Sequence, residues 1–372
     1  MAPRRCSKHA RIHDDLAQAI ASGEYAPGQQ LPTEVELARR YNTSRPTVAH
    51  AMQRLVAESL VERRAGAGTF VRQTASTAAK FFGLIIPGLG EKELFEPMCG
   101  QMARDAESHH HTLLWGDATD QPHDRIGSRA IELARRYVAQ RVAGVFFAPL
   151  EYETGKDNAN QTVVEMCDAA TIPVVLLDRD IVPYPARSRY DIVAVDNRRS
   201  MWALVSHILA HGERKVDFVA RPLSAPTVAM RMAGYRDALR DAGIEPTLQS
   251  VHFGDPADKA FVRKVISGRL DRTFVCANDL TAAKFMQSLD ELGVSVPKDV
   301  RVAGFDDVNY AHLLRVPLTT VRQPSRDLGS AAVRAMLERI TLPGIAPREI
   351  LLTTTLVPRK STSIGRGRSR GS

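Results

Sequence analysis

A short stretch near the N-terminus concentrates side chains that could bind DNA. Ser44, Arg45 and Thr47 fall in the first turn of a predicted helix, and His50 follows one turn later. Their hydroxyl, guanidinium and imidazole groups can donate hydrogen bonds to phosphate oxygens and to base edges. The sequence therefore predicts that the start of this helix contacts a nucleic-acid duplex.

A glycine-tipped segment follows, LVERRAGAGTFV (60–71), and its pattern predicts two short strands joined by a turn. Arg63 and Arg64 precede the turn, and Gly66 and Gly68 form it. Because glycine has no side chain, its backbone can approach a sugar-phosphate chain closely. The segment predicts a basic hairpin, or wing, beside the helix.

Further along the chain, four polar dipeptides directly follow apolar segments. They are Asp178-Arg179, Asp196-Asn197, Asn278-Asp279 and Asp306-Asp307. An acid at a strand end is by itself a cap or turn residue more often than a ligand contact. Four such ends in one cleft would offer fixed donors and acceptors to several hydroxyls, and Phe95 could lie against the C–H face of a sugar.

The sequence contains none of the common catalytic motifs and no favourable metal-binding pattern. The sequence has no nucleophile elbow, H-E-x-x-H motif or Walker-type loop. His109, His110 and His111 are adjacent on a predicted helix and point in different directions, which makes a shared metal ion unfavourable. The cysteines are scattered without a C-x-x-C pair: Cys6, Cys99, Cys167 and Cys276. We expect neither an enzyme nor a cofactor, and no disulfide framework.

Three helices must position the N-terminal donors. The first spans residues 8–22, and Gly23 ends it. Thr33 opens the second, where Glu36 completes the pattern of a capping box. Ser44 is predicted to cap the third, with Pro46 in its first turn. The tight turn between the second and third helices is the geometry that places a helix in the major groove. Their apolar positions are Val35, Leu37, Ala38 and Tyr41, then Val48, Met52, Leu55 and Val56.

From Lys80 onward, apolar segments alternate with helical ones. The strand-like segments are 81–87, 112–117, 142–150, 172–178 and 191–196, then 215–222, 250–255, 273–279 and 300–307. Continuous apolar strands alternating with helices indicate buried parallel sheets, and this number exceeds one short sheet. The predicted fold class is α/β: a two-lobed, doubly wound parallel-sheet sensor domain preceded by a small winged helix-turn-helix domain. Ligands bind outside the carboxyl ends of strands in such sheets.

Charge is distributed unevenly along the 372 residues, whose net charge is +8. Residues 1–72 carry 11 Lys and Arg against 7 Asp and Glu, and residues 359–372 carry five basic residues and no acid. A basic small domain beside a neutral remainder favours a polyanionic partner. No run approaches the ~18–20 apolar residues of a membrane span, and the basic N-terminus lacks the apolar core of a secretion signal. We expect a cytoplasmic protein.

The ordered set of turn, capped helix, SRPTV helix and glycine-tipped wing over residues 23–71 resembles the winged helix-turn-helix of GntR-type bacterial regulators. This resemblance and the donor pattern together imply a set of DNA-contacting residues. They are Thr33, Ser44, Arg45, Thr47, His50, Arg63, Arg64, Gly66 and Gly68. The family commonly has arginine where this chain has Val35 and Ala49, so the operator sequence cannot be transferred from it.

Residues 81–358 resemble the effector domain of lactose-repressor-type regulators, which is itself similar to periplasmic sugar-binding proteins. The resemblance lies in IPVVLLDRD, IVAVDN, MRMAGYRDAL, FVCANDLTA, VRVAGFDD and PLTTVRQP. It implies ligand contacts at Asp178, Arg231, Asn278, Asp306 and Gln323, to which the strand-end argument adds Arg179 and Phe95. The chain departs from the family at Pro256, where an aromatic residue is common, and lacks the family's helical hinge segment.

The leading hypothesis is a bacterial repressor, arranged as in arabinose-responsive regulators, whose homodimer binds a pseudo-palindromic operator. A small sugar or polyol between the lobes would change the spacing of the two heads. The alternatives are a cytoplasmic solute-binding protein with a structural N-terminal appendage, and an enzyme on a sugar-handling fold. The expected domains are 1–72 for DNA binding, a linker at 73–79, the effector domain at 80–360 and a disordered basic tail at 361–372.

Overall fold

The computed structural model describes residues 8–21, 24–26, 28–58, 60–64, 66–71, 79–86, 94–116, 126–152, 154–268 and 271–363. The chain divides into two compact units, residues 1–78 and 79–372. Nearly all of the predicted linker, and the tail after Ser363, lie outside the described residues. Within the described ranges, no helix is both long and apolar enough to cross a membrane.

The N-terminal unit is a three-helix bundle with a two-stranded wing. Its elements are α1 (Lys8–Ala21), α2 (Glu34–Arg40), α3 (Arg45–Ala57), β1 (Val61–Arg64) and β2 (Gly68–Val71). The strands pair antiparallel, with Arg64 opposite Gly68. Ile12 and Leu16 of α1 pack with Leu37 of α2 and with Val48 and Leu55 of α3 in one buried cluster. The predicted winged helix-turn-helix is confirmed.

Local capping in this unit is only partly as predicted. Thr33 and Glu36 form the complete capping box at the start of α2. Ser44 occupies the N-cap position of α3, but its hydroxyl bonds the hydroxyl of Thr47 at 2.8 Å and caps no backbone N–H. The predicted side-chain cap is therefore wrong. Val35 is one of the predicted apolar positions of α2, yet it is 45% exposed, because Leu37 is the buried residue of this short helix.

The larger unit alternates strands and helices as predicted. Its first elements are β3 (Phe81–Ile85), α4 (Phe95–Ser108), β4 (Thr112–Trp115), α5 (Ile126–Ala139), β5 (Gly144–Phe147), α6 (Lys156–Ala169), β6 (Val174–Leu177) and β7 (Asp191–Val195). Next are α7 (Asn197–Ala210), β8 (Val216–Ala220), α8 (Pro226–Asp241), β9 (Val251–Phe253), α9 (Lys259–Ile266), β10 (Thr273–Cys276), α10 (Asp279–Glu291) and β11 (Arg301–Ala303). The last are β12 (Thr320–Arg322), α11 (Ser325–Thr341), β13 (Glu349–Leu352) and β14 (Thr355–Val357).

Two parallel sheets form two lobes. The first lobe has the strand order β13-β7-β6-β5-β3-β4, and the second has β11-β10-β8-β9. Helices α5 and α6 bury apolar residues against one face of the first sheet. Residues of α4 and α11 belong to a second hydrophobic cluster, which contains the side chains of the opposite face of that sheet. Helices α9 and α10 contribute to the core of the second lobe, whose opposite side packs with α7 and α8. This confirms the two-lobed α/β prediction and explains the apolar strands, which are covered on both faces.

The C-terminal part of the chain adds elements that the sequence pattern did not identify. Strand β13 pairs with β7 as the sixth strand of the first sheet, and β12 pairs antiparallel with β14. After β14, Ser361 is fully buried and its hydroxyl donates to the Val302 carbonyl at 2.6 Å. The effector fold thus continues past the predicted boundary at residue 360, because this seryl group anchors the chain to β11.

Candidate functional site

The predicted DNA-contacting side chains at the start of α3 are accessible to solvent. Ser44, Arg45 and His50 are exposed, and Thr47 is half-buried. The His50 ring lies 4.6 Å from the His9 ring of α1. The donors are accessible, as contact with a duplex requires.

Glu34 connects the recognition helix to the wing. One of its carboxylate oxygens lies 3.3 Å from Arg45 Nε, and the other lies 2.8 Å from Arg63 Nη2. The Arg45 side chain is 70% exposed, so these ion pairs can exchange for phosphate contacts at small cost. Sequence reasoning missed Glu34, although its place in the first turn of α2 was visible in the sequence.

The wing glycines differ in what constrains them. Gly66 has φ +74° and no atom within 4 Å of the position a Cβ would take, so only its backbone conformation favours glycine. Gly68 has φ +114°, and a Cβ there would overlap the Gln30 side-chain amide. That amide donates to the Ala67 carbonyl at 2.8 Å, which ties the wing to the segment before α2.

Two further residues that were predicted to contact DNA, Arg64 and Thr33, form contacts within the protein. Arg64 stacks over the Phe70 ring at 4.6 Å and pairs with Glu62 at 2.7 Å. Thr33 donates its hydroxyl to Glu36 at 2.8 Å, and hydrogen bonds from Thr33 lower the Glu36 pKa. Both residues nevertheless remain exposed on the same unit.

A cavity of about 190 Å³ lies between the two lobes of the larger unit. The first lobe contributes Leu94, Phe95, Glu151, Tyr152, Asp178 and Arg179 to its lining. The second contributes Thr227, Val228, Arg231, Asn278, Leu280, Asp306, Val308 and Tyr310. Six of the seven predicted effector residues line this cavity, and the seventh, Gln323, does not line it but donates to the Asp306 carboxylate. The loops after several strands converge here, as expected for a doubly wound sheet.

Arg231, on α8, is held rigidly at the cavity wall. Its Nε donates to Asn197 Oδ1 and its Nη1 to the Ala277 carbonyl, both at 2.7 Å. The guanidinium lies 3.8 Å from the centre of the Phe305 ring, and Nη2 is 3.5 Å from the Asp306 carboxylate. A guanidinium fixed by several partners can present its remaining N–H groups to a ligand at little entropic cost.

Asp306 combines backbone strain with an unusual charge environment. Its φ is +126°, a conformation that non-glycine residues rarely adopt and that clusters at functional sites. The Gln323 amide donates to its carboxylate at 2.8 Å. Burial, opposed by Arg231 and reinforced by Asp279 and Asp178, raises the Asp306 pKa to about 7. The group therefore titrates near neutral pH.

On the opposite wall, Arg179 is enclosed by acids and an aromatic ring. It pairs with Glu151 at 2.6 Å and with Asp178 at 3.0 Å, and it lies over the Phe95 ring at 5.8 Å. Among the described residues, Asp178 Oδ1 and Gln323 Oε1 are buried acceptors without a hydrogen-bond donor. Buried polar atoms of this kind are rare in folded proteins, and a ligand hydroxyl in the cavity, which Asp178 lines, would satisfy Asp178 Oδ1.

Tyr152 connects the two walls. Asn278 donates from Nδ2 to the Tyr152 hydroxyl at 3.0 Å and accepts from the Thr281 backbone N–H, capping α10. Burial raises the Tyr152 pKa to about 12, so the phenol stays protonated. Sequence reasoning missed Glu151 and Tyr152. Both directly follow the predicted strand at 142–150, so the strand-end rule applied there would have found them.

Several other strand-end groups serve the fold. Asp196 caps α7 by accepting from the Arg199 N–H at 2.9 Å. Asp279 is fully buried and accepts from the Thr320 hydroxyl at 2.6 Å. Asp307 pairs with Arg322 and Arg359, each at 2.6 Å. These three acids are absent from the residues lining the cavity.

Two other sequence features also lie apart from the cavity. Pro256 is buried, and its carbonyl accepts from the Ser288 hydroxyl at 2.8 Å. The His109 and His111 rings are 6.4 Å apart at the end of α4. Across the described part of the chain, no group of three or more His, Cys, Asp or Glu side chains could hold a metal ion.

Comparison with known proteins finds a family match for two segments of the chain. Residues 8–71 match the model for bacterial regulatory proteins of the gntR family, and residues 205–362 match that for a periplasmic binding protein-like domain. The chain is 22% identical to the arabinose metabolism transcriptional repressor of Geobacillus stearothermophilus, over 97% of this chain and 99% of that protein. These matches confirm the two resemblances inferred from the sequence.

Solved structures support the fold of the larger unit. The transcription regulator CcpA of Lactococcus lactis superposes with a TM-score of 0.65 at 18% identity, over 77% of this chain and 100% of that one. A LacI family transcriptional regulator from Enterococcus faecium, solved with bound ribose, gives a TM-score of 0.62 at 19% identity, over 76% and 99%. At these identities the likeness concerns the fold alone.

Proposed function

Because the chain joins a gntR-type DNA-binding domain to a periplasmic-binding-protein-like domain, we propose that it is a transcription repressor controlled by a small sugar or polyol. The observation that carries the proposal is the cavity between the lobes, whose lining includes the unsatisfied acceptor Asp178 Oδ1, in a chain that also has an exposed recognition helix. The repressor named above from Geobacillus stearothermophilus, similar over nearly its full length, supports the regulatory part.

The chemistry of the cavity favours a neutral ligand rich in hydroxyl groups. Its carboxylates, Glu151, Asp178 and Asp306, outnumber its guanidinium groups, Arg179 and Arg231. Both arginines are already paired with acids, which disfavours a phosphorylated ligand. The volume of about 190 Å³ lies below the roughly 300–1,000 Å³ typical of drug-sized ligands and suits a single sugar ring or an open-chain polyol. The regulator solved with ribose supports the same class.

The proposed mechanism links the cavity to DNA through the relative orientation of the lobes. A sugar that contacts Asp178 from one lobe and Asp306 from the other binds best when the lobes are closed around it. Binding can change operator affinity only by the difference in sugar affinity between the two arrangements. In a homodimer, that change would alter the spacing of the two winged heads on neighbouring half-sites.

The DNA-binding part of the proposal assigns direct contacts to Arg45, Thr47 and His50 on α3. It assigns backbone contacts to Arg63 and Arg64 of the wing, with Gly66 and Gly68 shaping the turn. Ser44 and Thr33 stand at the helix starts, where N–H groups favour phosphate. Exposure of these side chains, or of the turn beside them, supports the assignment.

The test has two stages that use the full-length protein. Selection from genomic fragments first identifies an operator, and a thermal-shift screen against pentoses, hexoses, polyols and their phosphates identifies the ligand. Fluorescence anisotropy of the labelled operator is then measured with and without that ligand. We expect specific binding that the sugar changes at least severalfold.

A cytoplasmic solute-binding protein is the rival hypothesis. It would bind the sugar but show no preference for any DNA fragment over random sequence at any salt concentration. Turnover of the bound sugar, detected by chromatography, would instead favour an enzyme and contradict both hypotheses.

A further inference from the structure

A second cavity, of about 380 Å³, lies next to the cavity between the lobes. The cavity between the lobes is called the cleft below, and the second cavity is called the rim cavity. Residues from both lobes line it. They are Thr154, Gly155, Lys156 and Asp157 from the first lobe, and Arg221, Leu223, Ser224, Ala225, Val228, Ala229, Met232 and Phe253 from the second. It shares Val228 with the cavity of the cleft but contains none of the cleft's charged residues.

The rim cavity contains the guanidinium of Arg221, which forms no ion pair with an acid in the described part of the chain. Arg221 lies over the Tyr152 ring at 4.3 Å, and no carboxylate of the described residues forms an ion pair with it. Lys156 faces the same cavity and pairs with the exposed neighbour Asp157 at 2.6 Å. Among the described residues of the lining, two cations against one acid leave a net positive charge. Arginine in particular presents paired N–H donors that match the geometry of a phosphate or carboxylate.

The same cavity has an apolar wall open to solvent. Leu223 is 50% exposed and Phe253 is 54% exposed, while Val228 and Met232 lie deeper. Large apolar side chains beside the Arg221 guanidinium form an amphipathic surface, on which an apolar group and an anion can bind together.

Two helices begin at this cavity. Gly155 and Ala225 are the N-cap residues of α6 and α8, and neither helix has a side-chain cap. The positive ends of helix dipoles favour an anion and add to the charge of Arg221 and Lys156.

We propose that the rim cavity is a second ligand site, which binds a small phosphate monoester carrying an apolar group. The phosphate contacts Arg221 and Lys156, and the apolar group packs against Leu223 and Phe253. Because these residues come from different lobes, the ligand stabilises the present arrangement of the lobes. That arrangement already includes a hydrogen bond across the lobes, from the Tyr152 N–H to the Leu223 carbonyl at 2.8 Å.

The rim site is coupled to the cleft through one side chain. Arg221 stacks on Tyr152, and the Tyr152 hydroxyl accepts from Asn278 at the cleft wall. A phosphate monoester in the rim cavity is therefore expected to raise affinity for the cleft ligand, and the effect must be reciprocal. Phosphate binding itself does not depend on the function proposed for the cleft or for the DNA-binding domain.

Isothermal titration calorimetry on the full-length protein tests the proposal, with phenyl phosphate as the probe and phenol as the uncharged comparison. We expect saturable binding of phenyl phosphate and none of phenol. Arg221→Met and Lys156→Met each keep an apolar stem and remove one cation, so each should weaken binding roughly tenfold or more. Lys264→Met is the matched control, since it removes an exposed cation of α9 outside the cavity and should leave the Kd unchanged.

Several results would overturn the proposal. They are no binding of phenyl phosphate by the unmodified protein, equal binding of phenol, or the same loss in Lys264→Met as in the cavity variants. Neither Arg221 nor Lys156 lines the cavity between the lobes, so unchanged affinity in both Arg221→Met and Lys156→Met would place the anion outside the rim cavity and contradict the proposal. Thermal unfolding without ligand verifies that each variant is folded.

Discussion

Replacing Asp306 by asparagine should separate ligand response from DNA binding. The variant keeps the size of the side chain and an oxygen that can accept from Gln323, which lies at 2.8 Å. It removes the negative charge that faces Arg231 at 3.5 Å and that would accept hydroxyl protons from a sugar. A hydrogen bond to a charged group contributes about 1.5–3 kcal/mol, so the sugar Kd should rise roughly 10- to 100-fold.

The same carboxylate gives the unmodified protein a specific pH dependence. Its pKa in the ligand-free protein is about 7, and a sugar hydroxyl that donates to it stabilises the ionised form. Ligand binding therefore lowers this pKa, so the favourable interaction is present above pH 7 and is lost as the pH falls through that value. Below the free pKa, affinity should fall by up to about tenfold per pH unit. In Asp306→Asn this dependence should disappear.

Calorimetry with the sugar, from pH 5.5 to 8.5, and operator titration without sugar measure both effects. Sugar affinity equal to that of the unmodified protein would refute the assignment of Asp306 as a ligand contact. Loss of operator binding in the absence of sugar would indicate general misfolding. A sugar affinity that rises as the pH falls would mean that the ligand binds the protonated carboxyl, which contradicts a hydroxyl donor at this position.

The remaining predictions concern the wing, the recognition helix and the cross-lobe contact. Arg45→Ala should weaken operator binding roughly tenfold or more without changing sugar affinity, as measured by anisotropy and calorimetry; loss of both would instead mean misfolding. Gly68→Ala should destabilise the N-terminal unit by about 1–3 kcal/mol in thermal unfolding, because its φ is +114° and Gln30 occupies the space of a Cβ. Gly66→Ala, where that space is open, should cost less, and an equal loss would contradict the argument. Tyr152→Phe removes the acceptor of the Asn278 amide, so sugar affinity should fall severalfold while the unfolding temperature stays nearly constant; unchanged affinity would argue against a role for this contact in closure.

The N-terminal unit was predictable because its signals are local. A capping box spans three residues, and the i, i+4, i+7 spacing of Val48, Met52 and Leu55 defines a helix face without reference to the rest of the chain. The error at Val35 has the opposite origin. Its exposure depends on where α1 and α3 pack, which its own neighbours in sequence do not determine.

The sheet of the first lobe contains a strand pairing that local sequence patterns could not predict. Strand β13 pairs with β7 although about 155 residues separate them, and its residues alternate between exposed and half-buried as in an edge strand. Asp191 at the start of β7 is fully buried and pairs with Arg339 and Arg348, which bring the returning chain to this edge. No short window of sequence contains this pairing.

The sequence alone determined which residues could form the two sites, since strand ends and helix starts follow from local periodicity and capping. Only the tertiary structure decided what each polar group does. Asp178 and Asp306 line the cavity. In contrast, Asp279 accepts a hydrogen bond from Thr320, and Asp307 forms ion pairs with Arg322 and Arg359 within the fold. The physical reason is that the local sequence determines only that a residue lies at the end of a strand. Which partner it reaches depends on how the two lobes and the crossover strand pack together.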